Sequence, residues 1–225
     1  MSNYKTVFFI LGVLQIILGL SMIVPIMAQF YYNQVDSGFI GSGLVSIIFG
    51  VLFFLSNLDY EKKLTLPQAF LLTALSWLSI AIFGSLPFVF SDLSLSFTNA
   101  FFESMSGITT TGSTILTNLN ETPKAILLWR AMLQWLGGIG IIVMAITLMP
   151  IMNIGGMQLF VISNTHTPEK ILPKSKEISI RLIAIYSSLT LVCAFFYKIF
   201  GMSFFDSIVH SMTTIATGGF SNYNE

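Results

Sequence analysis

The stretch 96-SFTNAFFESMSGITTTGST-114 returns as 203-SFFDSIVHSMTTIATGGFS-221, 107 positions later and without a gap. In this register Ser96 matches Ser203, Phe97 matches Phe204, Ser104 matches Ser211, Met105 matches Met212, Ile108 matches Ile215, Thr110 matches Thr217 and Gly112 matches Gly219. Each copy reads as a short amphipathic helix followed by a Thr-x-Gly triplet, the pattern of a pore loop. Two such copies in one hydrophobic chain imply one unit repeated around a common axis. Irregular backbone at membrane depth is tolerated only where it lines a cavity or is buried in protein. The pattern therefore implies ion passage.

Working outward, the 225 residues are 54% hydrophobic and 9% charged, against roughly 25% charged in ordinary soluble domains. Mean hydropathy is +0.83. The runs 6–35, 37–58, 64–91 and 131–168 carry no Asp, Glu, Lys or Arg, and each holds the roughly 20 residues that cross a hydrocarbon core. Spanning helices are predicted near 7–30, 39–56, 66–90, 127–150 and 179–200. No small-residue cleavage site follows a short apolar region in the first, which reads as a retained helix rather than a signal peptide. The expected fold is an all-α polytopic membrane protein of helix–pore-loop–helix repeats, with two re-entrant pore helices and two extra N-terminal helices.

The expected organisation is an N-terminal two-helix extension (1–58), a first complete repeat (64–152), a cytoplasmic linker (153–178) and a second repeat (179–225) that stops after its filter. The second repeat lacks a counterpart of the helix at 127–150. Two filters do not surround an ion, so the chain is expected to be the N-terminal part of a longer protein, or to be completed by another chain. With the N-terminus inside, Lys5, Lys62, Lys63, Lys170, Lys174, Lys176 and Arg181 are cytoplasmic, and Lys124, Arg130 and Lys198 lie toward the outside. That bias follows the positive-inside rule and opens both pore loops outward.

A dehydrated cation needs several oxygens at close range, and successive carbonyls point one way only in backbone conformations that glycine reaches at least steric cost. The candidate ion-filter residues are Thr110, Thr111, Gly112 and Ser113, with Thr217, Gly218, Gly219 and Phe220. K⁺ is expected at Thr110, Thr111, Gly112, Thr217, Gly218 and Gly219. Each segment looks like a degenerate Thr-Val-Gly-Tyr-Gly filter that keeps the leading Thr and the middle Gly. The helices at 97–107 and 204–214 aim their negative C-terminal ends at the filters, which favours a cation.

Ionisable groups inside a membrane protein are functional candidates. Glu103 and His210 occupy equivalent pore-helix positions, and Asp206 lies one turn before His210. Bracing of pore helix against filter is the expected role of Glu103, Asp206, His210 and Arg130. Arg130 is placed near the outer end of its helix, to snorkel or to pair with Glu103 or Glu121. Gly137, Gly138 and Gly140 read as helix-packing positions, and Pro25, Pro87 and Pro150 as kinks or ends. Trp77, Trp129 and Trp135 suit either an interface belt or the bundle interior. Cys193, the single cysteine, reads as an apolar filler, and His166 as a solvated loop residue.

An intramembrane enzyme is not expected. Neither HExxH nor GxGD occurs, and SMSG at 104–107 lacks the leading glycine of a serine-nucleophile motif. No phosphate-binding loop or basic nucleic-acid patch appears, so no cofactor and no nucleic-acid partner are expected for this chain. A non-conducting membrane assembly or scaffold subunit is the alternative reading, which flux by the complete protein would separate from a transporter.

Three motifs in order, FFESMSGITTTGST (101–114), WRAMLQWLGGIGIIV (129–143) and HSMTTIATGGFS (210–221), resemble the TrkH branch of the Trk/Ktr/HKT potassium transporter superfamily. The two leading helices favour TrkH over the shorter Ktr type. The resemblance implies a K⁺-translocating subunit of a bacterial cytoplasmic (inner) membrane. It further implies four repeats around one pore, a homodimer, and a cytoplasmic nucleotide-binding TrkA-type regulatory subunit as partner. The family's filter glycines fall on Gly112 and Gly219. The third and fourth filters, the gating loop of the third repeat and the basic residue of the fourth are absent from these residues.

Overall fold

The computed structural model describes residues 4–34, 36–60, 64–152 and 171–224. They form eight helices: α1 (Lys5–Ser21), α2 (Ile23–Tyr31), α3 (Gly38–Ser56), α4 (Leu66–Phe90), α5 (Phe97–Ile108), α6 (Lys124–Met152), α7 (Ile171–Ile199) and α8 (Phe204–Ile215). Five stretches are long and apolar enough to cross a membrane: Lys5–Tyr31, Gly38–Ser56, Leu66–Phe90, Lys124–Met144 and Glu177–Ile199. At 12 residues each, α5 and α8 reach about 18 Å, short of the ~30 Å hydrocarbon core. They are the two re-entrant pore helices.

The first span breaks at Met22. Pro25 has no N–H for the Ser21 carbonyl and its ring crowds that carbonyl, so the ladder restarts, with Met22 O accepting from Ile26 N at 3.2 Å. Pro87, by contrast, is accommodated within α4, which continues to Phe90. The α1 and α3 backbones touch: a Cβ on Gly12 would lie 2.7 Å from Gly50 O, and one on Gly50 would lie 2.8 Å from Gly12 O. In a bilayer, where Leu gains nothing by leaving lipid, such close backbone approach is what holds helices together.

Helix bounds depart from expectation at two places. Helix α6 starts at Lys124 because the Pro123 carbonyl accepts from Ile126 N (3.0 Å) and Leu127 N (3.2 Å). Helix α7 starts at Ile171, inside the segment expected as linker, since charge ends a hydrophobic span but not a helix. Residues 153–170 of that linker, with His166, lie outside the described residues.

The core gathers around α6. Trp129 is fully buried, donates Nε1–H to Gly84 O at 2.9 Å and meets Phe39 edge-on at 6.1 Å. Trp135 donates Nε1–H to Thr190 Oγ1 at 3.0 Å. Trp129 sits in the bundle interior, Trp135 is half-buried against α7, and Trp77 lines an apolar cavity between α1, α4 and α6. A Cβ on Gly137 would overlap Ile108 O, and one on Gly138 would lie 2.5 Å from Tyr186 Oη, so both admit neighbours to α6. Gly140 does not; nothing lies within 4 Å of its Cβ position.

Candidate functional site

The two pore helices begin and end alike. Ser96 Oγ accepts from Asn99 N at 3.4 Å, and Ser203 Oγ accepts from Asp206 N at 3.1 Å. Each serine thus caps a first turn whose N–H groups have no helical partner. At the other end, Thr110 N donates to Gly107 O (2.9 Å) and Thr111 N to Ser106 O (3.0 Å). In α8, Thr217 N donates to Thr214 O and Gly218 N to Thr213 O, both at 2.9 Å. Both helices therefore close with a Schellman motif, whose pivot is normally glycine. Here the pivots are threonines, Thr110 at φ 57° and Thr217 at φ 54°, each at a cost of about 1 kcal/mol.

Two residues on, Gly112 has φ 79° and Gly219 has φ 76°. Thr111 and Gly218, between them, are not among the positive-φ residues. An alternation of left-handed with ordinary backbone turns successive carbonyls to the same side, the geometry that cation coordination by backbone requires. The matched filter segments thus share a matched backbone. Thr111, Ser113, Thr217 and Gly219 are exposed, whereas Gly218 and Phe220 are buried.

The first filter is held by a buried charge pair. Glu103 is 0% exposed and Arg130 is 1% exposed, with Arg130 Nε 2.7 Å from Glu103 Oε1. Glu103 also accepts from Thr114 Oγ1 (2.9 and 3.1 Å) and from Ile115 N (3.0 Å), so the carboxylate is saturated. Arg130 sends Nη2–H to Thr114 Oγ1 at 3.0 Å and Nη1–H to Ser221 O at 3.1 Å. Its guanidinium lies 4.1 Å from the Phe220 ring centroid, a cation–π contact. Far from snorkelling, Arg130 is interior, and it ties both filters together.

The second filter is held differently. Asp206 Oδ2 accepts from Ser203 Oγ (2.5 Å) and Tyr223 Oη (2.8 Å), and Oδ1 from Asn222 Nδ2 (2.6 Å). Burial raises the Asp206 pKa, but these three hydrogen bonds and the Lys124 charge outweigh it and hold the carboxyl below its ordinary value. His210 does not take the place of Glu103. Its Nδ1–H donates to Asp206 O at 2.9 Å, and its ring stacks against Tyr223 at 6.1 Å.

One residue that the sequence analysis passed over joins the repeats directly. Gln134, one turn beyond Arg130 on α6, is 0% exposed. Its Nε2–H donates to Gly218 O at 2.8 Å, and its Oε1 accepts from Phe220 N at 3.2 Å. A signal was available, since Gln134 and Arg130, one turn apart, are the polar residues inside the span Lys124–Met144, which is otherwise apolar after Lys124. Among the described residues no group of three His, Cys, Asp or Glu side chains is placed to hold a metal ion.

A family model described as cation transport protein (TrkH) matches residues 35–225. The chain is 40% identical to the Trk system potassium uptake protein TrkI of Halomonas elongata, over 95% of this chain and 44% of that protein. It is 38% identical to the Trk system potassium uptake protein TrkH of Vibrio parahaemolyticus, over 99% of this chain and 47% of that one. The crystal structure of the potassium transporter TrkH from Vibrio parahaemolyticus superposes with a TM-score of 0.88 at 36% identity, over 99% of this chain and 45% of that chain. The chain thus spans about half the length of the curated relatives it matches.

Proposed function

The chain belongs to the TrkH family of cation transport proteins, and on that premise we propose that it supplies two of the filter segments of a potassium uptake pathway across the bacterial cytoplasmic membrane. The observation that carries this reading is the paired backbone, with left-handed residues at Thr110 and Gly112 and again at Thr217 and Gly219, each pair directly after a pore helix. Residues 110–113 with Thr217 and Gly219 line the path of K⁺, the transported ion, backed by the buried Gly218 and Phe220, and the C-terminal ends of α5 and α8 favour a cation there. The named relatives are potassium uptake proteins, which supports transport over enzymatic activity.

Gly219→Asp in the full-length protein tests the filter role. A Cβ at Gly219 meets nothing within 4 Å, and aspartate tolerates left-handed backbone better than most residues, so at matched membrane abundance the variant is expected to show lowered rubidium uptake or lowered K⁺ over Na⁺ preference. Unchanged kinetics and preference would remove the filter assignment.

Relatives about twice as long as this chain support a pathway in which further repeats complete the ring around the ion. The relatives are named as members of a Trk uptake system, which supports work alongside other subunits; the assembly we propose is a homodimer regulated by a TrkA-type nucleotide-binding subunit. The N-terminus is cytoplasmic, so in a Cys193→Ala background cysteines at Ser37 and Asn118 should label from outside and one at Ser175 should not. The reverse pattern would invert the topology.

A further inference from the structure

Gln134 belongs to the first repeat, yet both ends of its side chain bind the second filter. Nε2–H donates to Gly218 O at 2.8 Å and Oε1 accepts from Phe220 N at 3.2 Å. The amide therefore straddles Gly219, the residue at φ 76°. Gly112 presses on the same peptide: a Cβ added there would overlap Gly218 O and would lie 3.6 Å from Gln134 Nε2. A Cβ on Gly218 would in turn overlap Gln134 Cδ. First filter, second filter and α6 converge on one peptide group.

We propose that Gln134 is a positioning residue for ion selectivity, which fixes the Gly218–Gly219 peptide and thereby decides which second-filter carbonyls are presented to the ion. Only a neutral side-chain amide offers one donor and one acceptor at the spacing that this carbonyl and N–H require. Glutamate keeps the acceptor and loses the donor. Methionine keeps the length and loses both. Asparagine is one methylene too short. Once released, a peptide flanked by two glycines rotates at little steric cost, and Gly218 O, otherwise held by Gln134 and packed against Gly112, is free to swing out and disturb the oxygen set that discriminates K⁺ from Na⁺.

This inference rests on the transport reading above, and one experiment separates their failures. Rubidium uptake and its competition by Na⁺ are measured for the full-length protein, Gln134→Glu and Gln134→Met, at matched membrane abundance in a host without other K⁺ uptake. Both variants are expected to lose K⁺ over Na⁺ preference by roughly tenfold, the factor that ~1.4 kcal/mol represents. Residual transport persists, because α6 keeps the Arg130 and Trp129 contacts. Wild-type preference in either variant, at whatever rate, overturns the role of Gln134. An unmodified protein that carries no K⁺ overturns the transport reading instead.

Discussion

The two pore loops share their caps and backbone turns but are anchored by unlike chemistry. In the first, a charge pair buried to 0% and 1% exposure locks pore helix to filter, and Gly112 packs hard against the neighbouring filter. In the second, a neutral shell of Ser203, Asn222 and Tyr223 surrounds one carboxylate, and the Cβ position of Gly219 is open. The duplicated segments therefore share one backbone geometry while their supporting contacts differ. Glu103 and His210 occupy the same register position, and only Glu103 braces a filter.

The largest expected effect comes from splitting the charge pair. Arg130→Met leaves Glu103 buried and uncompensated, and should destabilise the protein by ~3–5 kcal/mol. Glu103→Gln together with Arg130→Met should be less damaging than Arg130→Met alone. Thermal unfolding in detergent reads both, and a double variant as unstable as the single one would show that the charges do not act as a pair.

A smaller contrast is expected between the filter glycines. Gly219→Ala meets only the left-handed backbone penalty, ~1–2 kcal/mol. Gly112→Ala adds an overlap with Gly218 O and should be clearly the more destabilised. Equal melting temperatures for the two would erase the distinction between a packed and an open filter.

The smallest effect concerns pH. Because the folded Asp206 pKa is lowered, its stabilisation is fully present above the ordinary carboxylate value of about 3.9 and is lost as pH falls through the folded value. Wild type should therefore lose stability relative to Asp206→Asn on acidification. Parallel pH profiles would mean that Asp206 is not a charged anchor.

The pore loops were legible in the sequence because a gapless repeat marks both helix and filter, and the spans because long charge-free runs have few other homes. The ends of α6 and α7 were less so, since hydropathy reports the bilayer and not the helix. The partnership of Arg130 with Glu103 was among the readable options, but not its depth: a sequence gives opposite charges without saying how far water reaches. Gln134 was missed because a neutral amide announces no partner. No pattern marked residues 222–224, yet Asn222 is 2% exposed and Asn224 Oδ1 accepts from Leu119 N at 3.1 Å. Contacts between segments so distant in the chain leave no local pattern.

The depth of Arg130 also has a consequence for how the chain enters the bilayer. Inserted alone, an arginine within a span is unfavourable by up to ~3 kcal/mol. Its counter-charge sits 27 positions upstream on α5, close enough in the chain for the two to meet early. Each charge is less unfavourable in lipid with the other beside it, so α5 and α6 are expected to insert together as a hairpin. The third arginine contact, Ser221 O, is synthesised 91 positions later, and until then the first repeat holds an N–H in reserve for the second. The order of translation is thus written into the membrane assembly of the protein.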